Sequence, residues 1–437
     1  MRNNSNIKPN IIRYKSEDFP GLVQNALAIE EMTLANGLRA VFYKTDNIPS
    51  VCVNMTYHVG SKDDCDKSGI AHLFEHLMFE GSPNVPHGEF DTMLQDLGGD
   101  SNAFTSWDVT SYYITIPSNS LEVALWLDSD RLAGFGITKE MLEIQKDVVT
   151  EERKYVFDNT PYGSVEEESN LKLFKNSGYR NSILGNMSIL RKLKIEDIKN
   201  HFEKYYAPNN AVIALAGSFD MQEAKALVEK YYGGIPVGKP FTRVEFTEYD
   251  INEEIKDTLY DNIQLPAKFI FYRVPQQGTK DYYALQILSS ILSTGESSLL
   301  NKKLVYDLTL ANDVDTSVTG MEQTSIFGIS AISLKGRNLD IIGTAIDEIL
   351  DEIQNGNIKD EEIEKVKNKI ETRTALKKSS IVSLAEHLSF DKLVFDDANR
   401  INTEIYNYLS ITKQDIIEAA NKYLKKNQRV VLDYLPK

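Results

Sequence analysis

One short stretch, His72-Leu73-Phe74-Glu75-His76, constrains this chain more than any other. Two histidines four residues apart share one face of an α-helix, about one turn from each other. Neutral imidazoles at that spacing suit a divalent metal. Glu75, one residue before the second histidine, is a carboxylate that need not ligate and can take a proton from metal-bound water. The segment therefore has to be helical, with Ser68 the expected N-cap and Gly81 the stop.

Two histidines do not complete a tetrahedral catalytic zinc site, which takes a third protein ligand and leaves the fourth position to water. The other histidines, His58, His87, His201 and His387, carry no supporting pattern and read as surface or core residues. A carboxylate is the alternative. Glu151 and Glu152 both sit on the helix that Thr138 caps, in "DVVTEERKYVFDNTPYG", a helix expected to run to about Val156.

The rest of the composition narrows the function class. A net charge of −16 argues against nucleic acid and against an anionic membrane surface, and favours basic peptides as partners. Cys52 and Cys65 form no CxxC pair and read as free thiols in a reducing compartment. No apolar run reaches transmembrane length, and the polar first twenty residues lack a secretory core. A cytoplasmic location is expected on this reading, or a periplasmic one if a signal was removed ahead of this numbering.

At 437 residues, two or more domains are expected. Residues 1–25 read as an irregular lead-in. Asn36-Gly37 marks a hairpin over 29–45, and strands follow near 51–57, 101–105, 109–116 and 211–216. The Gly- and Pro-rich stretch 233–240 is the best linker and divides the chain into halves of similar length. The halves resemble each other. "LKIEDIKNHFEKYYAPNNAVIALAG" matches "SITKQDIIEAANKYLKKNQRVVLDY", aligning Asp197 with Asp415, Lys204 with Lys422 and Asn209 with Asn427. "ITKEMLEIQKDVVTEER" matches "IKDEEIEKVKNKIETRT" in the same order. The expected fold is α+β: two related domains from an internal duplication, each an antiparallel-rich sheet with helices packed on one face. The boundaries expected are 26–232 for the metal-binding domain, 233–245 for the linker and 246–437 for the second copy. The counterpart of the motif helix, near 297–303, contains no histidine, so only the first half can hold this metal.

HLFEH, then "GGDSNAFTSWDVTSYYITIPS", then "DVVTEERKYVFDNTPYG" together resemble the pitrilysin, insulin-degrading enzyme and mitochondrial processing peptidase family of zinc peptidases, whose HxxEH order defines the inverzincins. The resemblance covers most of the chain and is similar to half-length members that work as dimers. It implies one Zn²⁺ per chain, held by His72, His76 and the glutamate before Arg153, which is Glu152, with Glu151 the fallback. It makes Glu75 the general base. It also implies that Ser101, Asn102, Ala103, Phe104 and Thr105 form an edge strand that binds an extended peptide through main-chain hydrogen bonds.

The chain departs from the family pattern in two ways. Gln145 stands where some members carry a second glutamate. In the second half, "LVYDLTLANDV" has Val305 and Asn312 where the family often has an arginine and a tyrosine that reach the substrate carbonyl. Neither residue can stabilise an oxyanion as that pair would. The function expected is therefore zinc endopeptidase action on short or unfolded peptides, as the catalytic subunit of a heterodimer whose second half-length chain supplies an Arg/Tyr pair. The competing expectations are a self-sufficient homodimer, in which the second half forms the dimer and its chamber, and a structural assembly subunit with a vestigial zinc site.

Overall fold

The hairpin at Asn36-Gly37 opens the first sheet. In a computed structural model that describes residue 11, residues 26–243 and residues 245–437, strand β1 (Ile29–Thr33) lies antiparallel to β2 (Arg39–Lys44). Gly37 makes the turn at φ +88°. Apart from residue 11, the expected lead-in over 1–25 lies outside the described residues. Strands β3 (Ser50–Tyr57), β4 (Asp100–Thr105), β5 (Thr110–Pro117) and β6 (Ala211–Gly217) complete a six-stranded sheet in the order β1-β2-β6-β3-β5-β4. Among the described residues, β4 pairs with β5 alone and leaves its other edge open.

The second sheet contains β7 (Ile255–Asp261), β8 (Ala267–Val274), β9 (Ala311–Gly320), β10 (Ser325–Ser333) and β11 (Arg429–Pro436), in the order β7-β11-β8-β10-β9. Setting β7 on β2, β11 on β6, β8 on β3, β10 on β5 and β9 on β4 reproduces the first sheet without β1. The single parallel pair recurs in the same place, β2 with β6 and β7 with β11, and all other pairs are antiparallel. The duplication read from helix sequences is thus repeated in strand order and direction.

Each sheet buries one face under helices of its own half. Phe42, Val53, Met55, Ile213 and Leu215 pack against Leu73, Phe74 and Leu77 of the motif helix and against the helices Leu121–Ala133, Lys139–Arg153, Ile195–Tyr205 and Met221–Tyr232. Ile270, Tyr272, Phe327, Ile329 and Val431 do the same with the helices Lys280–Ser293, Leu339–Gln354 and Lys413–Tyr423. The motif helix is only eight residues long, below the length at which an isolated helix holds together. Its shape comes from packing: Leu73, Phe74 and Leu77 are fully buried, each contributing about 2 kcal/mol.

The opposite faces are covered by an exchange that hydrophobic periodicity does not reveal. Helix Ile381–Phe395, from the second half, places Leu384, Ala385 and Leu388 against Val41, Cys52, Val212 and Ala214 on the back of the first sheet. Ser389 on that helix also donates to Asn54 Oδ1 at 2.5 Å within a buried cluster. Reciprocally, Leu173 and Phe174, at the end of helix Val165–Leu173 of the first half, cover Phe269, Val430, Leu432 and Tyr434 on the back of the second sheet. Among the described residues 233–254, which include the stretch expected as linker, there is no helix or strand. Arg243 within it is anchored to the Asn210 side chain at 2.7 Å and to the His58 carbonyl.

Polar contacts fix the two halves to each other. Lys62, buried after β3, is bound to Asp108 in the β4–β5 turn at 2.6 Å and to Glu322 in the β9–β10 turn. Asp108 also accepts from Tyr179 Oη at 2.7 Å and from the Glu322 backbone N–H at 2.9 Å, and His58 Nε2 reaches both Glu322 oxygens at 3.0 Å.

Candidate metal centre

The motif helix runs Ile70–Leu77, and its start differs from the expectation. Ser68 is not the cap. Gly69 occupies that position in the left-handed region at φ +93°, and the orphan N–H groups of the first turn go to a residue further back. Asp64 accepts from Gly69 N at 2.6 Å and from Ala71 N at 3.1 Å. A five-residue reach exceeds the capping-box spacing, so the local pattern pointed to Ser68 instead. Ser68 Oγ accepts from Asn186 N at 3.2 Å.

The start of this helix is braced by a second backbone. A Cβ built on Gly185 (φ +72°) would lie 2.3 Å from Gly69 Cα, so both positions need glycine. Arg153 holds that contact in place. It donates to the Gly185 carbonyl at 3.1 Å and to Glu167 at 2.6 Å. The arginine next to Glu152 thus links the end of one site helix to the start of the other.

Helix Lys139–Arg153 is capped as expected, with Thr138 accepting from Met141 N at 3.3 Å. It stops at Arg153, short of the expected Val156, and continues as a wider turn over Lys154–Asp158. Its last turn brings Glu152 to the two histidines. Glu152 Oε2 lies 3.7 Å from His72 Nε2 and 3.3 Å from His76 Nε2. Glu151 faces away and pairs with Lys154 at 2.6 Å. Among the described residues, His72, His76 and Glu152 are the one group of three histidine, cysteine or acidic side chains whose ligand atoms converge, all within 4.8 Å.

The donor set fits a zinc ion. Three ligands at 2.0–2.1 Å from a tetrahedral centre stand about 3.3 Å apart, close to the two separations given. Glu152 Oε2 is buried and accepts no hydrogen bond, although it faces two ring nitrogens. Burial, with the His76 charge beside it, pulls the His72 pKa down to about 4, so this imidazole is in its neutral, ligating form at pH 7. His76, facing it at 3.3 Å, holds the Glu152 carboxyl below its usual value, so it is ionised. Burial opposes protonation of His76, but the Glu152 carboxylate facing it outweighs burial and raises its pKa.

Glu75 is on the same helix but does not join the cluster. Its Oε2 accepts from Thr105 Oγ1 at 2.5 Å. Burial pushes its carboxyl up, and Thr105 and His76 pull it back. Thr105 ends β4, so the strand expected to bind peptide is tied by its last side chain to the expected base. On the side away from the open edge, Ser101 pairs with Ile114, Asn102 with Tyr113, Ala103 with Tyr112 and Phe104 with Ser111, all on β5.

One further group, which no local sequence pattern signals, lies behind the histidines. Gln145 donates to Glu80 Oε1 at 2.6 Å, and Glu80 Oε2 is 2.9 Å from His87 Nδ1. Although Gln145 is itself uncharged, it has a buried carboxylate against it, supplied by a residue four positions after His76. Val305 is half-buried in the helical turn Asn301–Asp307, and Asn312 is exposed near the start of β9. His201 packs against Phe74 in the core with ring centroids 5.3 Å apart, and His387 Nδ1 lies 2.7 Å from the Ser383 carbonyl.

Comparison with known proteins points the same way. The family description "Insulinase (Peptidase family M16)" matches residues 39–187, and "Peptidase M16 inactive domain" matches residues 192–370. The chain is 28% identical over 418 residues to the zinc protease PqqE of Helicobacter pylori, covering 93% of each chain. It superposes on the crystal structure of a protease from the same organism with a TM-score of 0.89 at 27% identity, over 94% of this chain and 100% of that one. The fold also matches the periplasmic protease PqqL of Escherichia coli with a TM-score of 0.75 at 18% identity, over 94% of this chain but 48% of that one.

Proposed function

The chain belongs to the M16 (insulinase) family of peptidases, and we propose that it is a zinc endopeptidase acting on short or extended peptides. The observation that carries this reading is the convergence of His72, His76 and Glu152 beside Glu75, whose carboxylate is bound to the last residue of an open edge strand. His72, His76 and Glu152 would hold the zinc. When bound, the ion would supply Lewis-acid chemistry, polarising a peptide carbonyl and activating water.

The remaining steps fall to the chain's own residues. The open edge of β4 takes an extended peptide through backbone hydrogen bonds, which bind with little regard for sequence and orient the scissile bond. Glu75, fixed by Thr105, accepts a proton as water adds to the carbonyl and returns it to the departing amine. Arg153 and the Gly69–Gly185 contact hold the two site helices in register, as a pre-organised site requires.

The oxyanion is left without a donor pair in this half-length chain, because Val305 and Asn312 occupy the positions in question. That this chain spans about half of PqqL supports a site completed by a second half-length chain, a different one or a second copy. The test is peptide cleavage with and without chelator, alongside metal analysis, on the isolated chain and on the complex purified from its source. Glu75→Gln is expected to keep zinc and lose cleavage, and His76→Ala to lose both. Normal cleavage by Glu75→Gln would refute the base assignment, and full activity of the isolated monomer would refute the need for a partner.

A further inference from the structure

The two site helices are bridged a second time, by a pair that the proposed chemistry does not use. Glu80 lies four residues after His76, in the turn that follows the motif helix, and Gln145 lies seven before Glu152 on helix Lys139–Arg153. Four and seven residues are about one and two helical turns. The Glu80–Gln145 pair therefore continues the faces that bring His76 and Glu152 together, onward along one helix and back along the other. Gln145 Nε2 donates to Glu80 Oε1 at 2.6 Å, and the Gln145 side chain faces the His76 ring.

An amide presents a donor at one end and an acceptor at the other, so a neighbour has to choose which way it points. Glu80 makes that choice. A carboxylate only accepts, so it takes the amino end of Gln145 and turns Oε1 the other way. Oε1 is buried and accepts from no described residue, which leaves an oriented acceptor beside a metal-binding histidine. Glu80 is buried as well, and it is held in turn. Its Oε2 stands 2.9 Å from His87 Nδ1, and the same nitrogen is 3.1 Å from the Glu80 carbonyl oxygen.

His76 meets Glu152 through Nε2 at 3.3 Å, so Nε2 is the nitrogen placed to ligate, and ligation there leaves the ring proton on Nδ1. That N–H needs an acceptor, and the acceptor sets both the tautomer and the angle of the ring. Resting on the zinc reading above, we infer that Gln145 Oε1 is this acceptor and that Glu80 is a positioning residue, which locks the Gln145 amide and through it the ligating tautomer of His76. The pair acts in series: Glu80 matters to the metal only while Gln145 is there to pass its orientation on.

The experiment reads metal affinity, independently of turnover. Zinc dissociation constants are measured by competition with a fluorescent chelator for the full chain, for Glu80→Ala, for Gln145→Ala, for both together, and for the exchange Glu80→Gln with Gln145→Glu. Melts of the zinc-free chains establish that each variant is folded at the temperature used. Glu80→Ala and Gln145→Ala should each weaken zinc binding about 10- to 100-fold. Joining them should add little to either alone, as members of one series do. The exchange puts a carboxylate beside His76 and an amide donor behind it, so it should recover the wild-type affinity. Visible spectra of the Co²⁺-loaded chains should change in Glu80→Ala and return in the exchange. Zinc affinity unaltered in Glu80→Ala, losses that add in the double variant, or an exchange that binds no better than the single variants would overturn the inference. A wild-type chain that binds no zinc would sink the peptidase reading and this inference with it, whereas a zinc-binding wild type matched by Glu80→Ala would sink this inference alone.

Discussion

Lys62→Met tests the junction on which the site depends. The Lys62 side chain is 3% exposed and bridges Asp108 (8%) and Glu322 (24%) across the two halves. Removing one member of a buried ion pair costs about 3–5 kcal/mol, because the other charge is left uncompensated. Here Asp108 keeps the Tyr179 hydroxyl and the Glu322 N–H, and Glu322 keeps His58, so the lower end, about 3 kcal/mol, applies. Unfolding entropy near 2.1 cal/mol/K per residue over the chain amounts to about 0.9 kcal/mol/K, which places the expected drop in Tm at about 3 °C. The pH dependence has a defined sign. Burial alone would raise the Glu322 pKa, but His58 and Lys62 override it and hold the carboxyl far below its usual value. A depressed carboxylate contributes stability that is present above its unfolded pKa, about 4.3, and is lost as pH falls toward the folded value. The wild-type advantage over Lys62→Met should therefore be full at pH 6–7 and shrink below about pH 4. Calorimetric melts from pH 3.5 to 7 check both points. A variant that melts with the wild type at pH 7, or a difference that grows on acidification, would refute the reasoning.

Two site variants follow from the same contacts. Thr105→Val keeps side-chain shape and removes the 2.5 Å hydrogen bond to Glu75; a bond to a charged group contributes about 1.5–3 kcal/mol, so kcat/KM should fall about 10- to 100-fold with zinc content unchanged. Undiminished turnover would show that Thr105 does not position the base. Gly185→Ala places a Cβ 2.3 Å from Gly69 Cα at positive φ and should cost at least about 2 kcal/mol in a thermal melt, with weaker zinc retention on dialysis; a wild-type melt would contradict the bracing contact.

What the sequence made legible follows from the range of each interaction. The i, i+4 histidines, the Asn36-Gly37 hairpin and the Thr138 cap are local, and local geometry is specified by neighbours a few residues away. The repeated helices could be aligned because amphipathic patterns and charges recur in order. The residues that make the histidines a site are distant in sequence. Glu152 joins them only when helix Lys139–Arg153 packs beside the motif helix, and Thr105 meets Glu75 only once β4 reaches the sheet edge. The Asp64 cap and the Glu80–Gln145 contact are not legible in the sequence, because neither spacing belongs to a known pattern.

The helix exchange bears on why a second copy without a metal is present at all. Helix Ile381–Phe395 seals the back of the sheet whose front carries the motif helix, and Leu173 and Phe174, just before the long connection, seal the back of the other. Either half alone would expose a sheet face of fully buried valines, alanines and aromatics, a surface far too apolar to leave in water. The division at the linker is thus a division of sequence and not of packing. Loss of histidines from the second copy removes one reactive site, whereas loss of the second copy would unseat β3 and β6, and with them the neighbouring strands β5 and β4 that carry Thr105 to Glu75. Retention of the metal-free half follows from that asymmetry: its helix and its β9–β10 turn hold the first half's sheet and its β4–β5 turn in the geometry the metal side requires.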